Sequence, residues 1–328
     1  MSADLSVTVA GLELKSPVVA GSGEATSSAE EIRACLEAGA AAVVAKSVNE
    51  SQAARGQLRA AEYVLLDEHL NARPLGAAAR TDSLFCRSGL LDVDLEEWIE
   101  TLAALDREAA ARDAYVVASL IVADVDEAVR LARLVEEAGL RWLELNVGAP
   151  HATEAPPGAI RTGVELVECV RTAVSIPLTV KLRPGDSVAD ALAAGADAVC
   201  LATRAMAFVP DLETRRPVLG TFAAIGGAWA LPVTLREVAK AHLAHPDASI
   251  VGTNGARDGY DVARFLLSGA SAVAMTSAVI TDGPERLATS VAQLDEYCRE
   301  HGVAARELVG EAARHVQTYE EVAIERRL

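Results

Sequence analysis

The chain has 328 residues, 51% of them hydrophobic and 23% charged, which is enough for a large globular core. Its formal net charge of -17 excludes a protein built to grip nucleic acid or an anionic membrane, since both need Lys and Arg to neutralise phosphate. The five cysteines (Cys35, Cys86, Cys169, Cys200, Cys298) have no close pair, so there is no sequence-local zinc knuckle, iron–sulfur motif or disulfide pattern. The opening MSADLSVTVAG lacks the charged and apolar regions of a leader, and no run reaches the ~18 apolar residues of a membrane span. A cytoplasmic protein with a small-molecule partner is the expectation.

Residues 5–14 (LSVTVAGLEL) alternate about Gly11 as a short β-hairpin does. PVVAGSG (17–23) reads as a buried strand ending in glycines. A Ser/Thr-capped helix follows (SSAEEIRACLEAG), with Glu in its first turn and Gly39 as its stop. AAVVAKS (41–47) is the next strand. The segment 48–91 has no clear periodicity and is expected to be a long irregular insertion, the kind of loop that is functional when it occurs in a compact domain. Strand–helix alternation then resumes. Helices are predicted over 94–112, 124–138, 161–174, 187–194, 232–244, 259–268 and 283–300. The strands between them are 115–120, 142–146, 177–182, 197–202, 248–253 and 271–276. A second irregular stretch covers 204–230, and a helical segment over 304–325 closes the chain.

A faint repeat runs through this pattern. EAGAAAVVAK, EAGLRWLELN, AAGADAVCLA and LSGASAVAMT each place a helix-stopping Gly just before a strand. They are strands two, four, six and eight. Eight strands in this rhythm predict an α/β protein, a (β/α)8 TIM barrel with an N-terminal hairpin and a C-terminal helical extension, as one domain over 1–328. Such a barrel gathers its strand C-termini at one mouth. A doubly wound sheet is the rival, but the first strand lacks G-x-G-x-x-G before its helix.

The strand ends are polar throughout: Gly21-Ser22-Gly23, Lys46-Ser47, Ser119, Asn146, Lys181, Thr203, Gly252-Thr253-Asn254-Gly255 and Thr276-Ser277. The seventh and eighth ends, GTNG and TSA, offer backbone N–H groups and hydroxyls where barrels hold phosphate, although glycine at such turns also serves tight geometry alone. Lys181 sits inside an apolar strand, where an unpaired ammonium is costly, and Lys46 ends the apolar run VVAK. Each is open to three readings: a satisfied core lysine, a Schiff-base nucleophile, or the partner of a bound anion. Two lysines beside a phosphate grip suit an anionic cofactor with an electron-accepting ring.

Eight of these motifs, PVVAGSG, VVAKS, ELNVGAP, PLTVKLRP, the GAD before strand six, IGGAWALP, IVGTNG and AMTSA, stand in order at barrel positions. On them the chain resembles the FMN-dependent dihydroorotate dehydrogenases, from residue 5 to about 284, apart from the long loop. The resemblance implies FMN. Ala20, Gly21 and Ser22 would approach the flavin ring, and Lys46 and Lys181 would contact its polar edge. Ser47, Ser119, Asn146 and Thr203 would hydrogen-bond flavin or substrate. Gly227, Gly252, Thr253, Asn254, Gly255, Thr276 and Ser277 would bind the ribityl phosphate.

The departures are local. That family carries Asn-x-Ser-Cys-Pro-Asn or Asn-x-Ser-Ser-Pro-Asn after strand four, with the Cys or Ser before proline as base. This chain has Asn146-Val147-Gly148-Ala149-Pro150-His151. Ala149 has no proton to exchange. The family's substrate loop reduces to Asp82-Ser83-Leu84-Phe85-Cys86, and its Asn-Thr after strand six to Thr203-Arg204. His151 is the candidate acid/base in place of the missing one, since the unperturbed pKa of a histidine lies near working pH, or else a loop histidine that only binds. Lys46 and Cys86 are further catalytic candidates, and a merely buried thiol is the plain alternative for Cys86. Lys46, Asp82, Ser83, Asn146, His151 and Arg204 are the substrate-binding candidates. Arg87 and Arg204 could anchor an anion or lie solvated.

Three functions stay open on the residues. The first is an FMN-dependent oxidoreductase moving hydride to or from a small anionic or heterocyclic molecule other than dihydroorotate. The second is a Schiff-base aldolase on a phosphorylated substrate. The third is a non-catalytic flavin-binding subunit, which the missing base permits. Flavin-dependent tRNA reduction is disfavoured by the charge. The resemblance leaves a homodimer open.

Overall fold

The fold was analysed in a computed structural model, which describes residues 2–57, 61–122, 124–147, 163–202, 205–318 and 321–322. The hairpin β1 (Val7–Val9) and β2 (Leu12–Leu14) leads to β3 (Val18–Ala20), α1 (Ala29–Glu37) and β4 (Ala42–Val44). Next come α2 (Gln52–Gln57), β5 (Glu62–Leu66), β6 (Ala72–Pro74) and β7 (Ser83–Arg87). Regular alternation follows in α3 (Leu95–Ala110), β8 (Tyr115–Leu120), α4 (Val125–Glu137), β9 (Leu143–Asn146), α5 (Gly163–Ala173), β10 (Leu178–Leu182), α6 (Val188–Ala193) and β11 (Ala198–Ala202). After β12 (Ala205–Ala207) and β13 (Ala223–Gly227) come α7 (Leu231–Ala244), β14 (Ser249–Thr253), α8 (Gly259–Leu267), β15 (Ala272–Met275), α9 (Ser277–Asp282) and α10 (Glu285–His301).

Eight parallel strands close in chain order, β3-β4-β8-β9-β10-β11-β14-β15, and β15 pairs back onto β3 through Val273–Val18 and Met275–Ala20. The expected (β/α)8 barrel is present. Its strands are short runs of Val, Ala and Leu because helices cover their outer faces and side chains fill the inside, so both faces are dry. Ser28, Asp94, Asp124, Ser187 and Asp258 cap five of the helices by accepting the backbone N–H three residues on. The repeated glycines have a physical cause. Gly39, Gly139, Gly195 and Gly269 all take positive φ just past a helix end, where a Cβ would be strained.

Two irregular stretches were expected, and both are corrected. The segment 48–91 holds α2 and three strands, and 204–230 holds two more strands. Together these strands form one antiparallel sheet, β12-β13-β7-β5-β6. Each strand is only three to five residues long and finds partners far away in sequence, as in Leu84–Gly226. Neither segment therefore shows a period on its own. One face of this sheet, with Phe85 and Leu66, packs on Val209, Leu219 and Ala223 as a separate small core. Alternation puts Tyr63, Leu65, Leu84, Cys86, Ala224 and Gly226 on the other face. That face turns to the barrel mouth, since Tyr63 reaches Glu24 and a Cβ on Gly226 would lie 2.9 Å from Asn254 Oδ1.

The sheet's connecting loop is also clamped to the barrel. Arg257, buried, donates to Asp282 at 2.8 Å and to the Ala78 carbonyl at 2.9 Å, and Arg80 pairs with Asp261 at 2.6 Å. The predicted helix over 304–325 is a further correction. The described residues there form two 3-10 turns, Ala305–Leu308 and Ala313–His315, broken at Gly310. Gly310 has φ +73, which departs from right-handed helical geometry, and it packs where a Cβ would strike the His242 ring at 2.0 Å.

Candidate functional site

The barrel interior opens at the strand C-termini into a cavity of about 420 Å³, counting its open mouth. All eight strands line it. Its deeper layer is mostly apolar (Val19, Val44, Val117, Val251, Ala274), and Gly21, Ser22, Lys181, Thr253 and Thr276 stand above it. Alternation sets this arrangement, since every second residue of a barrel strand points inward.

Two lysines reach the mouth. Lys46, 8% exposed, forms an ion pair with Glu24, which lies in the turn after β3. The other oxygen of Glu24 accepts the Tyr63 hydroxyl from the covering sheet. Lys181 lies across the barrel on β10, and among the described residues it has no ion-pair partner. Its register neighbour Cys200 cannot serve as one, because burial, reinforced by Glu144, pushes that thiol up to about 12.

A line of hydroxyls joins four adjacent strand ends. Ser22 Oγ lies 3.3 Å from Ser47 Oγ, Ser47 Oγ lies 2.8 Å from Ser119 Oγ, and Ser119 donates to Glu144 Oε1 at 2.8 Å. Glu144 is the one carboxylate among the described residues that line the cavity, and only 4% of it is exposed.

From Gly21 round to the ends of β15 and β14 backbone replaces side chains. A Cβ on Gly21 would lie 2.2 Å from Thr276 Oγ1, and one on Gly255 (φ +108) 2.6 Å from the Leu231 backbone. Gly227 donates its N–H to Asn254 Oδ1 at 3.4 Å, and the turn after it, Ala228–Ala230, has no side-chain cap as it runs into α7. A pocket edged by glycines too close-set for side chains, with uncapped N–H groups beside it, is chemistry for a phosphate.

The structure brings Ala20, Gly21, Ser22, Lys46, Ser47, Ser119, Asn146, Lys181, Thr253 and Thr276 to the mouth, with Gly227, Asn254, Gly255 and Ser277 at its glycine-rich rim. Gly252 has a packing role as well, because a Cβ there would meet the Phe265 ring at 2.4 Å. Thr253 donates its hydroxyl to the Ala274 carbonyl at 2.8 Å. Asp82 is engaged by Arg73 and by the Ala79 N–H at 2.6 Å, and Ser83 lies on the sheet face turned away from the barrel. Cys86, half-buried, is the cross-strand neighbour of Tyr63. Arg87 pairs with Glu62 at the surface. Ala149, His151, Thr203 and Arg204 lie outside the described residues.

Three site residues escape a reading of strand ends: Glu24, Tyr63 and Glu144. The third was legible in part. In WLELN it shares the phase of Trp142 and Asn146, so a charged residue sits at an inward position.

Comparison with known proteins agrees with this geometry. The sequence pattern of the family described as dihydroorotate dehydrogenase matches residues 4–297. The chain is 32% identical over 329 residues to the dihydroorotate dehydrogenase B (NAD(+)) catalytic subunit of Desulforudis audaxviator, covering 96% of this chain and 99% of that one. It is 29% identical over 292 residues to the protein of the same description from Methanothermobacter thermautotrophicus, covering 86% and 89%. Barrel, mouth and sequence thus agree, and the chain belongs to the dihydroorotate dehydrogenase family of FMN-dependent oxidoreductases acting on CH–CH bonds.

Proposed function

We propose that this protein moves a hydride between FMN and a small anionic or heterocyclic substrate other than dihydroorotate, with the whole chain as one FMN-binding domain working in the cytoplasm. The observation that carries the reading is Lys181, an ammonium at the barrel mouth with no anion on it among the described residues, near a glycine-edged rim that suits a phosphate. An anionic cofactor with a phosphate at one end and an electron-accepting ring at the other satisfies both. Gly227, Asn254, Gly255, Thr276 and Ser277 would hold the phosphate. Lys181 would face the ring, and when bound FMN supplies the hydride chemistry.

The substrate half of the reading rests on Ala149. It stands where the family pattern places a Cys or Ser base, and alanine can neither take nor give a proton. His151 or a water would then move the proton, with Asn146 and Arg204 among the groups that hold the substrate.

A visible absorption spectrum of the purified protein, repeated on the supernatant after heating, tests the cofactor. A yellow chromophore that is released and behaves as FMN is the expected result. A colourless protein that takes up no added FMN sinks the reading and sends Lys181 and Lys46 to borohydride trapping as imine formers. If FMN is bound, dihydroorotate added without air should leave it oxidised. Rapid bleaching by dihydroorotate would overturn the substrate half alone.

A further inference from the structure

We infer that Glu144 is a positioning residue: through Ser119 and Ser47 it fixes the Ser22 hydroxyl as a hydrogen-bond acceptor toward the barrel mouth. The inference rests on the FMN reading only for what Ser22 would face, not for the relay itself.

The argument is one of donor and acceptor counting. An ionised carboxylate accepts and never donates, whereas a serine hydroxyl has one proton and two lone pairs. Glu144 Oε1 lies 2.8 Å from Ser119 Oγ, so the one Ser119 proton is committed to it. Ser119 can then only accept from Ser47 at 2.8 Å, and Ser47 in turn can only accept from Ser22 at 3.3 Å. Every hydroxyl proton points inward along the line. Ser22, half-buried at the end of β3, is left presenting lone pairs to the cavity that Gly21 and Thr276 also line. Without the carboxylate each hydroxyl is free to turn, and Ser22 offers a proton as readily as a lone pair.

The surroundings favour a fixed sense. Ser119 and Glu144 are register partners on adjacent strands, and Ser47 and Ser119 are both buried, so water does not compete for the inner links. Around Glu144 are Thr179 and Lys181 on β10 and Cys200 on β11, and the neutral Cys200 thiol adds no second negative charge. A buried carboxylate under the mouth is costly unless it is used, and the hydrogen bond that Glu144 accepts from Ser119 leads to the site.

The test has two readouts on the full chain as purified. Infrared difference spectra over a pH series identify the Glu144 carboxyl as the band lost in Glu144→Gln. Ser119→Ala, which removes a charge-assisted donor, should move that band's titration up by about one pH unit. Ser47→Ala and Ser22→Ala should move it by progressively less, and Ser119→Thr, which keeps the hydroxyl, should leave it in place. The dissociation constant for FMN is the second readout. Ser119→Ala should weaken it ~10-fold and Ser119→Thr by no more than ~2-fold, and in a Ser22→Ala background Ser119→Ala should add nothing. A Glu144 band that ignores Ser47→Ala and Ser22→Ala, or a Ser119→Ala loss that persists without Ser22, overturns the inference. If the wild type binds no FMN, the proposed function falls while the order of band shifts still decides the relay.

Discussion

The two lysines of the barrel mouth make the most instructive contrast in the molecule. Lys181 interrupts the apolar strand β10 and Lys46 follows the apolar strand β4, so both sit at the C-terminal end of the same barrel. Lys46 is held by Glu24, whose other oxygen takes the hydroxyl of Tyr63 from the covering sheet. Lys181 has no such pair among the described residues, and its neighbour Cys200 is neutral. One cation therefore fastens the covering sheet to the barrel, and the other has no such tie among the described residues, which is what the proposed cofactor role of Lys181 rests on. Position on the strand does not separate these roles; the carboxylate at residue 24 does.

The sharpest way to break this contrast is Lys181→Met. It removes the ammonium and keeps the length, so FMN affinity should fall ~100-fold, about 2.7 kcal/mol. Thermal stability should hold or rise, since no ion-pair partner among the described residues is orphaned. Retained FMN together with a lowered Tm would show that Lys181 is a structural lysine after all. Lys46→Met should behave in the opposite way. It strands the Glu24 carboxylate, which is only partly exposed, and should cost about 1–3 kcal/mol of stability. FMN affinity should change less than for Lys181→Met. Equal losses of FMN from the two variants would erase the distinction.

Tyr63→Phe is a milder probe of the same fastening. It removes one hydrogen bond to a charged acceptor, worth about 1.5–3 kcal/mol at most and less where water can replace it. The loss should be local. Hydrogen exchange should speed up in β5 and its partner β7, while the barrel strand β8 keeps its protection. Uniform acceleration across both sheets would mean that the covering sheet and barrel unfold as one unit and that Tyr63 is not a separate latch.

The barrel was legible because its signals are local. Units such as α4–β9 and α8–β15 carry their own capping residue, their own apolar run and a stopping glycine, Gly139 or Gly269, all within about twenty residues. The covering sheet was not legible because Val64, Phe85 and Ile225 acquire a pattern only when three distant strands are laid side by side. The same division runs through the site. Lys46 and Lys181 stand out in sequence as charges in apolar strands, and GTNG and TSA as polar strand ends. Glu24 and Tyr63 do not stand out, since a Glu after a Gly and a Tyr in an unrecognised strand look like surface. Their meaning comes from the tertiary contact that puts both on Lys46.

Cys200 offers the smallest effect and the finest discrimination. If its thiol ionised readily it would neutralise Lys181 from the next strand, and the two lysines would be alike. Burial pushes the thiol up to about 12, Glu144 adds to that, and Lys181 only partly offsets it. Below that pH the group is an uncharged filler of the barrel interior. Iodoacetamide at pH 8 should therefore leave Cys200 unmodified in the native protein and label it once the chain is denatured, as peptide mapping would show. Cys200→Ser, another small uncharged side chain, should leave FMN affinity within ~2-fold of wild type, a change of about 0.4 kcal/mol. Fast native alkylation, or a large change in affinity in Cys200→Ser, would make the thiolate the missing anion on Lys181, and the ammonium would no longer be available to a ligand.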